Sequence, residues 1–219
     1  MSEKTEDFAD FSKDKKNKIA FISNELFDCF AIDQYVLCEE GWRERIIVGD
    51  KKRSFTLAPF NKEINEFVKS KTKKYLVPIG GVYEYSKSGE EFMTSLCNIL
   101  KLNGGIAINI DYGYVKNLFA NSLQAVKNHK KWDVLVNPGE ADITAHVDFG
   151  TLDNISREKG LNSSLVTQRE FLLGLGVEDR RKNLLKNSPN NSKDINLAID
   201  RLINCDEMGD LFKVHIIWT

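Results

Sequence analysis

Two short apolar segments constrain this chain more than anything else in it. IAFI, from Ile19 to Ile22, is cut off by Ser23, Asn24 and Glu25; IAINI, from Ile106 to Ile110, is cut off by Asp111, Tyr112, Gly113 and Tyr114. A strand with one solvated face alternates apolar and polar residues, whereas runs of this kind predict strands buried on both faces. Between them, SGEEFMTSLCNILKLNGG puts Phe92, Leu96, Ile99 and Leu100 on one helical face, with Ser88 as N-cap, acids in the first turn and a stop at Asn103, Gly104 and Gly105. Strand, helix, strand with polar strand ends is the α/β pattern of a parallel sheet, whose ligands gather at the carboxyl edge. SNELFD and DYGY are therefore the first places to look for chemistry.

The remaining segments fill in around that unit. QYVLCEEGWRERIIVG predicts a hairpin with its turn near Glu40 and Gly41, outside the main sheet, and NKEINEFVKSK a short helix. A helix is expected from about Asp148, with Leu152 and Ile155 inward and Gly160 as its stop; SSLVT reads as a strand. TQRE, from Thr167 to Glu170, is a capping box opening a helix through EFLLGLGVEDRRKNLL, with the GLG of Gly174 to Gly176 inside it for packing. NSPNNSKD is a loop, DINLAIDRLIN a helix, and LFKVHIIW a closing strand with Phe212, Val214, Ile216 and Trp218 on one face. Residues 1–17 form a polar leader, and one domain runs from residue 18 to 219.

Composition excludes several classes. At 219 residues, 42% hydrophobic and 29% charged, the chain can bury one sizeable core and is not a disordered sequence. Lys plus Arg number 31 against 32 Asp plus Glu, so no global basic footprint points to nucleic acid, and the lysine runs at 69–74 and 127–131 read as solvated surface. No stretch approaches the roughly 20 apolar residues of a membrane span. The four cysteines show no CxxC pair and no secretory signal is seen, which predicts reduced thiols and a cytoplasmic location.

The chain shows no GxGxxG or GxxxxGK[ST] after a strand, no HExxH and no GxSxG. What remains is ionisable. VNPGEADITAHVDF carries Glu140, Asp142, His146 and Asp148 behind an Asn-Pro-Gly turn, and metal ligation, substrate capture, helix capping by Asp148 and a structural His146 all stay open. Asn24 and Glu25 read either as a helix cap or as polar groups at a sheet edge, and Asp111 either as an Asx-type turn with Gly113 or as a carboxylate at that edge. A carboxylate there would hold a cationic amine or guanidinium by charge-assisted hydrogen bonds.

SNELFD, the Gly104 to Tyr114 segment, SLQAVKNH, NPGEADITAHVDF, TQREFLLGLG and MGDLFKVHIIW, in this order, resemble the MidA-like methyltransferases, relatives of the mitochondrial complex I assembly factor of the same type. The resemblance runs from about Lys18 to the C-terminus. It implies a class I (Rossmann-like) methyltransferase sheet, here its C-terminal half with an added β-hairpin and helices: strands at 19–23 and 106–110 and an antiparallel pair at 163–167 and 212–218. It implies S-adenosyl-L-methionine as cofactor, a protein arginine on a respiratory complex I subunit as substrate, and the mitochondrial matrix as the alternative location. Family members hold the cofactor with an ExGxGxG motif and an acid ahead of the SNELFD-like strand. This sequence begins after both, so about 100 residues of βαβ units would have to come from elsewhere, or the chain would associate with a partner.

By the same resemblance Glu25, Asn24, Asp28 and Asp111 are the catalytic candidates, orienting a guanidinium. Tyr112, Tyr114, Glu140, Asp142, His146 and Asp148 are the substrate-binding candidates. The competing expectation is a non-catalytic remnant or protein-binding assembly module that keeps the substrate-recognition half.

Overall fold

The computed structural model describes residues 17–116 and 119–219; residues 1–16 of the expected leader lie outside the described residues. In chain order, β1 (Ile19–Asn24), β2 (Asp33–Cys38), β3 (Gly41–Val48) and β4 (Ser54–Leu57) lead to α1 (Lys62–Thr72), β5 (Val82–Tyr85), α2 (Lys87–Asn103) and β6 (Gly105–Tyr114). Then come β7 (Gln124–Lys127), β8 (Lys130–Trp132), β9 (Asp142–Thr144), β10 (Val147–Asp148), α3 (Phe149–Glu158) and β11 (Asn162–Thr167). The chain closes with α4 (Gln168–Gly174), α5 (Val177–Asn187), α6 (Ser192–Ile203) and β12 (Phe212–Trp218). Among the described residues no helix is long and apolar enough to cross a membrane. The described residues cluster into two compact units, the first from residues 17–27, 90–116 and 147–219, the second from 28–89 and 119–146.

The first unit is built on a mixed sheet in the order β1-β6-β12-β11. β1 runs parallel to β6, with Ile19 opposite Gly105 and Asn24 opposite Ile110, while β12 is antiparallel to both β6 and β11. The antiparallel closing pair is the expected one. Met93, Leu96, Cys97 and Leu100 of α2, Phe149 and Leu152 of α3, and Ala107, Val214 and Ile217 of the sheet are buried. Each large side chain among them contributes about 1.5–3 kcal/mol of apolar burial.

Several expectations for this unit need correction. β1 is not buried on both faces: among the described residues it pairs with β6 alone, and Ile22 is 70% exposed. In β6 the deepest residues are Ala107, Asn109, Asp111 and Gly113 rather than the isoleucines, so a polar stripe runs down its inner side. Gly113 makes no turn. It sits inside β6 beside β10, where a Cβ would come within 2.1 Å of the Val147 carbonyl oxygen, so only glycine admits the short parallel pairing of Val147 with Gly113. β12 is covered on both faces, since His215 is as buried as Val214, whereas Trp218 at its end is 37% exposed. α2 begins at Lys87 with Ser86, not Ser88, accepting the Gly89 N–H at 3.2 Å. The capping box at Thr167 forms as expected, but the helix behind it breaks at Gly176, whose φ of 81° starts a second helix.

The second unit contains the expected hairpin, enlarged to a sheet in the order β4-β3-β2-β5, and a separate three-stranded sheet β8-β7-β9. Its core is aromatic, with Tyr35, Trp42, Tyr83 and Val68 buried together. α1 is capped by Asn61, whose side chain accepts the Glu63 and Ile64 N–H groups, and its Asn65 Oδ1 accepts the Trp42 N–H at 3.0 Å.

Candidate active site

In the first unit, the parallel direction of β1 and β6 brings their carboxyl ends to one edge, so SNELFD and DYGY meet there. Asn24 ends β1 and Glu25 follows it with a φ of 50°, a left-handed conformation that costs a residue with a Cβ about 1 kcal/mol or more. The turn is locked by the Glu25 N–H donating to the Ile110 carbonyl at 2.9 Å. It leaves the Glu25 carboxylate exposed, with Asn24 Nδ2 donating to Oε1 at 3.2 Å.

Asp111 is at the same edge in a different state. It is fully buried, and its two carboxylate oxygens accept the N–H groups of Phe27 and Tyr112, each at 2.9 Å. Its charge is spent on the backbone, pinning the segment that leaves β1 to the end of β6. Tyr112 packs edge-on against Phe212 with ring centroids 5.5 Å apart. Tyr114 pairs in register with Asp148, which caps α3 by accepting the N–H and the hydroxyl of Thr151, both at 3.0 Å. The helix cap expected at Asp148 is formed.

Two groups at this sheet escaped the sequence reading. Lys213 lies across from Asp111 in the β12–β6 register, and its ammonium donates to the carbonyls of Gly113 and Leu211 at 3.2 Å and to that of Asp210. Burial pushes its pKa below the usual lysine range. His215 is fully buried; its Nε2 lies 3.0 Å from Ser163 Oγ, 3.5 Å from Ser156 Oγ and 3.6 Å from Asp153 Oδ1. Burial holds its pKa down at about 4, so the ring is neutral near pH 7. Burial works to raise Asp153, but hydrogen bonds from Arg157 and Ser163 outweigh it and leave that carboxyl below its ordinary value. His215 faces Asn109 in the register, and Asn109 Oδ1 accepts from Ser23 Oγ at 2.9 Å, which continues the buried polar stripe to the end of β1. A lysine and a histidine inside the otherwise apolar FKVHIIW were the signal available.

The other candidates belong to the second unit. Asp28 is 5% exposed and its carbonyl accepts the Ala145 N–H at 3.0 Å. Asn137, with a φ of 43°, turns the chain into the short 3-10 helix Pro138–Glu140. Glu140 ends that helix exposed and ion-paired with Lys127, and the hydrogen bond from Lys127 lowers its pKa. Asp142 is an exposed residue of β9. His146 donates its backbone N–H to Ser122 Oγ at 2.9 Å. The candidates therefore fall into two groups, Asn24, Glu25, Asp111, Tyr112, Tyr114 and Asp148 in one unit and Asp28, Glu140, Asp142 and His146 in the other. Among the described residues no three His, Cys, Asp or Glu side chains are grouped to hold a metal ion.

An edge of this kind, on a sheet closed by an antiparallel pair, matches proteins already known. Residues 3–167 fit the family described as "Putative S-adenosyl-L-methionine-dependent methyltransferase". The chain belongs to this MidA-like methyltransferase family, and its fold is the Rossmann-like methyltransferase fold. It is 33% identical over 201 residues to the mitochondrial protein arginine methyltransferase NDUFAF7 of Xenopus tropicalis, covering 88% of this chain and 45% of that protein. The human protein of the same name is 30% identical over 203 residues, with 88% and 44% covered. A Burkholderia thailandensis crystal structure of a COG1565 superfamily member bound to S-adenosyl-homocysteine superposes with a TM-score of 0.81 at 25% identity, over 94% of this chain and 54% of that one. The chain thus spans less than half the length of these curated relatives.

Proposed function

We propose that this chain carries the acceptor side of an S-adenosyl-L-methionine-dependent protein arginine methyltransferase. The observation that carries the reading is the Glu25 turn: an exposed carboxylate on left-handed backbone at the carboxyl edge of the sheet, with the Asn24 amide beside it. A guanidinium, its pKa above about 12, arrives protonated and is a poor nucleophile. Glu25 pairs with it and draws the positive charge toward the nitrogens that do not react, while Asn24 and Tyr112 complete the hydrogen bonding. Transfer of this kind rests on orientation and on excluding water, which Tyr112 and Tyr114 provide at the end of β6. Asp111 acts on the turn rather than on the acceptor, and Asp148 on α3. Asp28, Glu140, Asp142 and His146 are a separate set in the second unit, proposed for binding the protein substrate.

The cofactor supplies an electrophilic methyl group when bound. Its cradle does not fit the residues described: their left-handed glycines lie in hairpin turns (Gly41, Gly49), a loop (Gly80), the amino end of β6 (Gly104, Gly105) and at helix ends (Gly160, Gly176). None joins the carboxyl end of a main-sheet strand to a helix, where backbone N–H groups would face the cofactor. The reading accordingly assigns this chain the acceptor chemistry alone. The names of the relatives support a mitochondrial setting over a cytoplasmic one, and a complex I subunit is the acceptor that the family resemblance favours.

The test joins the chain to the cofactor-binding half of a relative and incubates it with methyl-labelled S-adenosylmethionine and arginine-bearing complex I subunits, followed by mass spectrometry. Label on a guanidinium nitrogen supports the reading. Label on lysine or on a carboxamide overturns it, and stable binding of the subunit without any transfer favours the assembly module instead.

A further inference from the structure

The second unit buries a carboxylate that the proposed chemistry does not use. Glu84 of β5 is 7% exposed, and three donors converge on it: Gln34 Nε2 at 2.7 Å, the Ser122 N–H at 3.0 Å and the Ser122 hydroxyl. Gln34, 5% exposed, is its register partner in β2, and that glutamine's Oε1 accepts from Arg45 Nη1 of β3 at 3.2 Å. Arg45, Gln34 and Glu84 thus line one face of three adjacent strands as cation, amide and anion. Gln34 Nε2 also reaches Asn121 Oδ1 at 2.7 Å, so the segment ahead of β7 is tied down at two successive residues.

The consequence lies in the direction of one proton. The Ser122 hydroxyl donates to Glu84 Oε2, which turns the hydroxyl oxygen's lone pairs outward. One of them receives the His146 N–H at 2.9 Å. We infer that Glu84 is a positioning residue: through Ser122 it fixes the backbone at His146. Its role in catalysis rests on the reading of His146 as an acceptor-binding residue; its effect on His146 does not.

With three histidines in the chain, His129, His146 and His215, the imidazole signals resolve by NMR. Glu84→Gln keeps the shape but turns an amide donor toward the Ser122 hydroxyl; Ser122→Ala removes the link, and Ser122→Thr keeps it. The inference expects Glu84→Gln and Ser122→Ala to shift the His146 ring signals and speed its amide exchange by about tenfold or more, with His129 and His215 unmoved and Ser122→Thr close to wild type. Unchanged His146 in folded variants overturns it. So does a common shift of all three histidines, the mark of general loosening. If Glu84→Gln does not fold, the Ser122 pair decides alone. Methyl transfer to an arginine peptide, by the chain joined to the cofactor-binding half of a relative, separates the two levels: the inference with the acceptor reading expects KM to rise with little change in kcat. A displaced His146 with unaltered KM leaves Glu84's positioning role standing and sinks the acceptor role of His146.

Discussion

Glu25 and Glu84 are two glutamates of two sheets, held in opposite ways. Glu84 is enclosed, its oxygens taken by Gln34 and Ser122, and its charge relayed to Arg45 through an amide. Glu25 stands in water on strained backbone, with the Asn24 amide against one oxygen. A carboxylate saturated by protein donors stabilises the fold but cannot exchange those donors for a ligand without stranding them, at about 1–3 kcal/mol each. One held at an exposed edge gives up only water when a cation arrives. Asp111 shows that position alone does not decide, because it shares Glu25's edge and is nonetheless consumed by two backbone N–H groups.

That contrast breaks first at Asp111. Asp111→Ala strands two backbone donors and opens a small cavity, for an expected loss of about 3–4 kcal/mol by denaturant unfolding. A loss below about 1 kcal/mol would mean that Asp111 is not a strut, and would return it to the acceptor side.

Next in size is a pH effect at His215. Its folded pKa of about 4 lies below the ordinary 6.5, so the unfolded chain binds the proton more readily. Stability is therefore complete above about pH 6.5 and drains away as pH falls toward 4, by about 3 kcal/mol at the lower end. His215→Gln should flatten unfolding free energy across that window, and an unchanged slope would place the titration elsewhere. Smaller again is Asp148→Ala. It removes an N-cap from α3 and should cost about 1 kcal/mol with methyl transfer per folded molecule intact; a selective loss of transfer would restore Asp148 to substrate binding.

The edge itself was legible because a strand's end shows locally: IAFI and IAINI stop at polar residues, and the parallel pattern places both stops together. Caps were legible where the spacing was unique, as at Thr167 and Glu170, and misread where two serines, Ser86 and Ser88, both precede the acids of α2. The break at Gly176 was hidden because GLG sits in an apolar pattern that a continuous helix would also satisfy. Lys213 and His215 showed only as polar residues in an apolar run, and the partners of Glu84, Lys213 and the Ser23–Asn109–His215 stripe could not be read. The contacts Ser23–Asn109, Gln34–Glu84 and Lys213–Gly113 join residues tens to a hundred positions apart across the sheets, and no window along the chain contains both partners. The same limit divided NPGEADITAHVDF, which looks continuous but contributes Asn137 to His146 to one unit and Val147 to Phe149 to the other.

The central claim is that Glu25 is kept for the acceptor and not for the fold, and Glu25→Gln tests it when melting and methyl incorporation are measured on the same preparation of the chain joined to the cofactor-binding half of a relative. The side chain stays exposed and close in shape, so stability should change by no more than about 0.5 kcal/mol. Losing the charge that pairs with a guanidinium should lower methyl transfer by about 100-fold, equivalent to about 2.7 kcal/mol in the barrier. A variant that melts early yet methylates arginine at a near-normal rate would contradict the account.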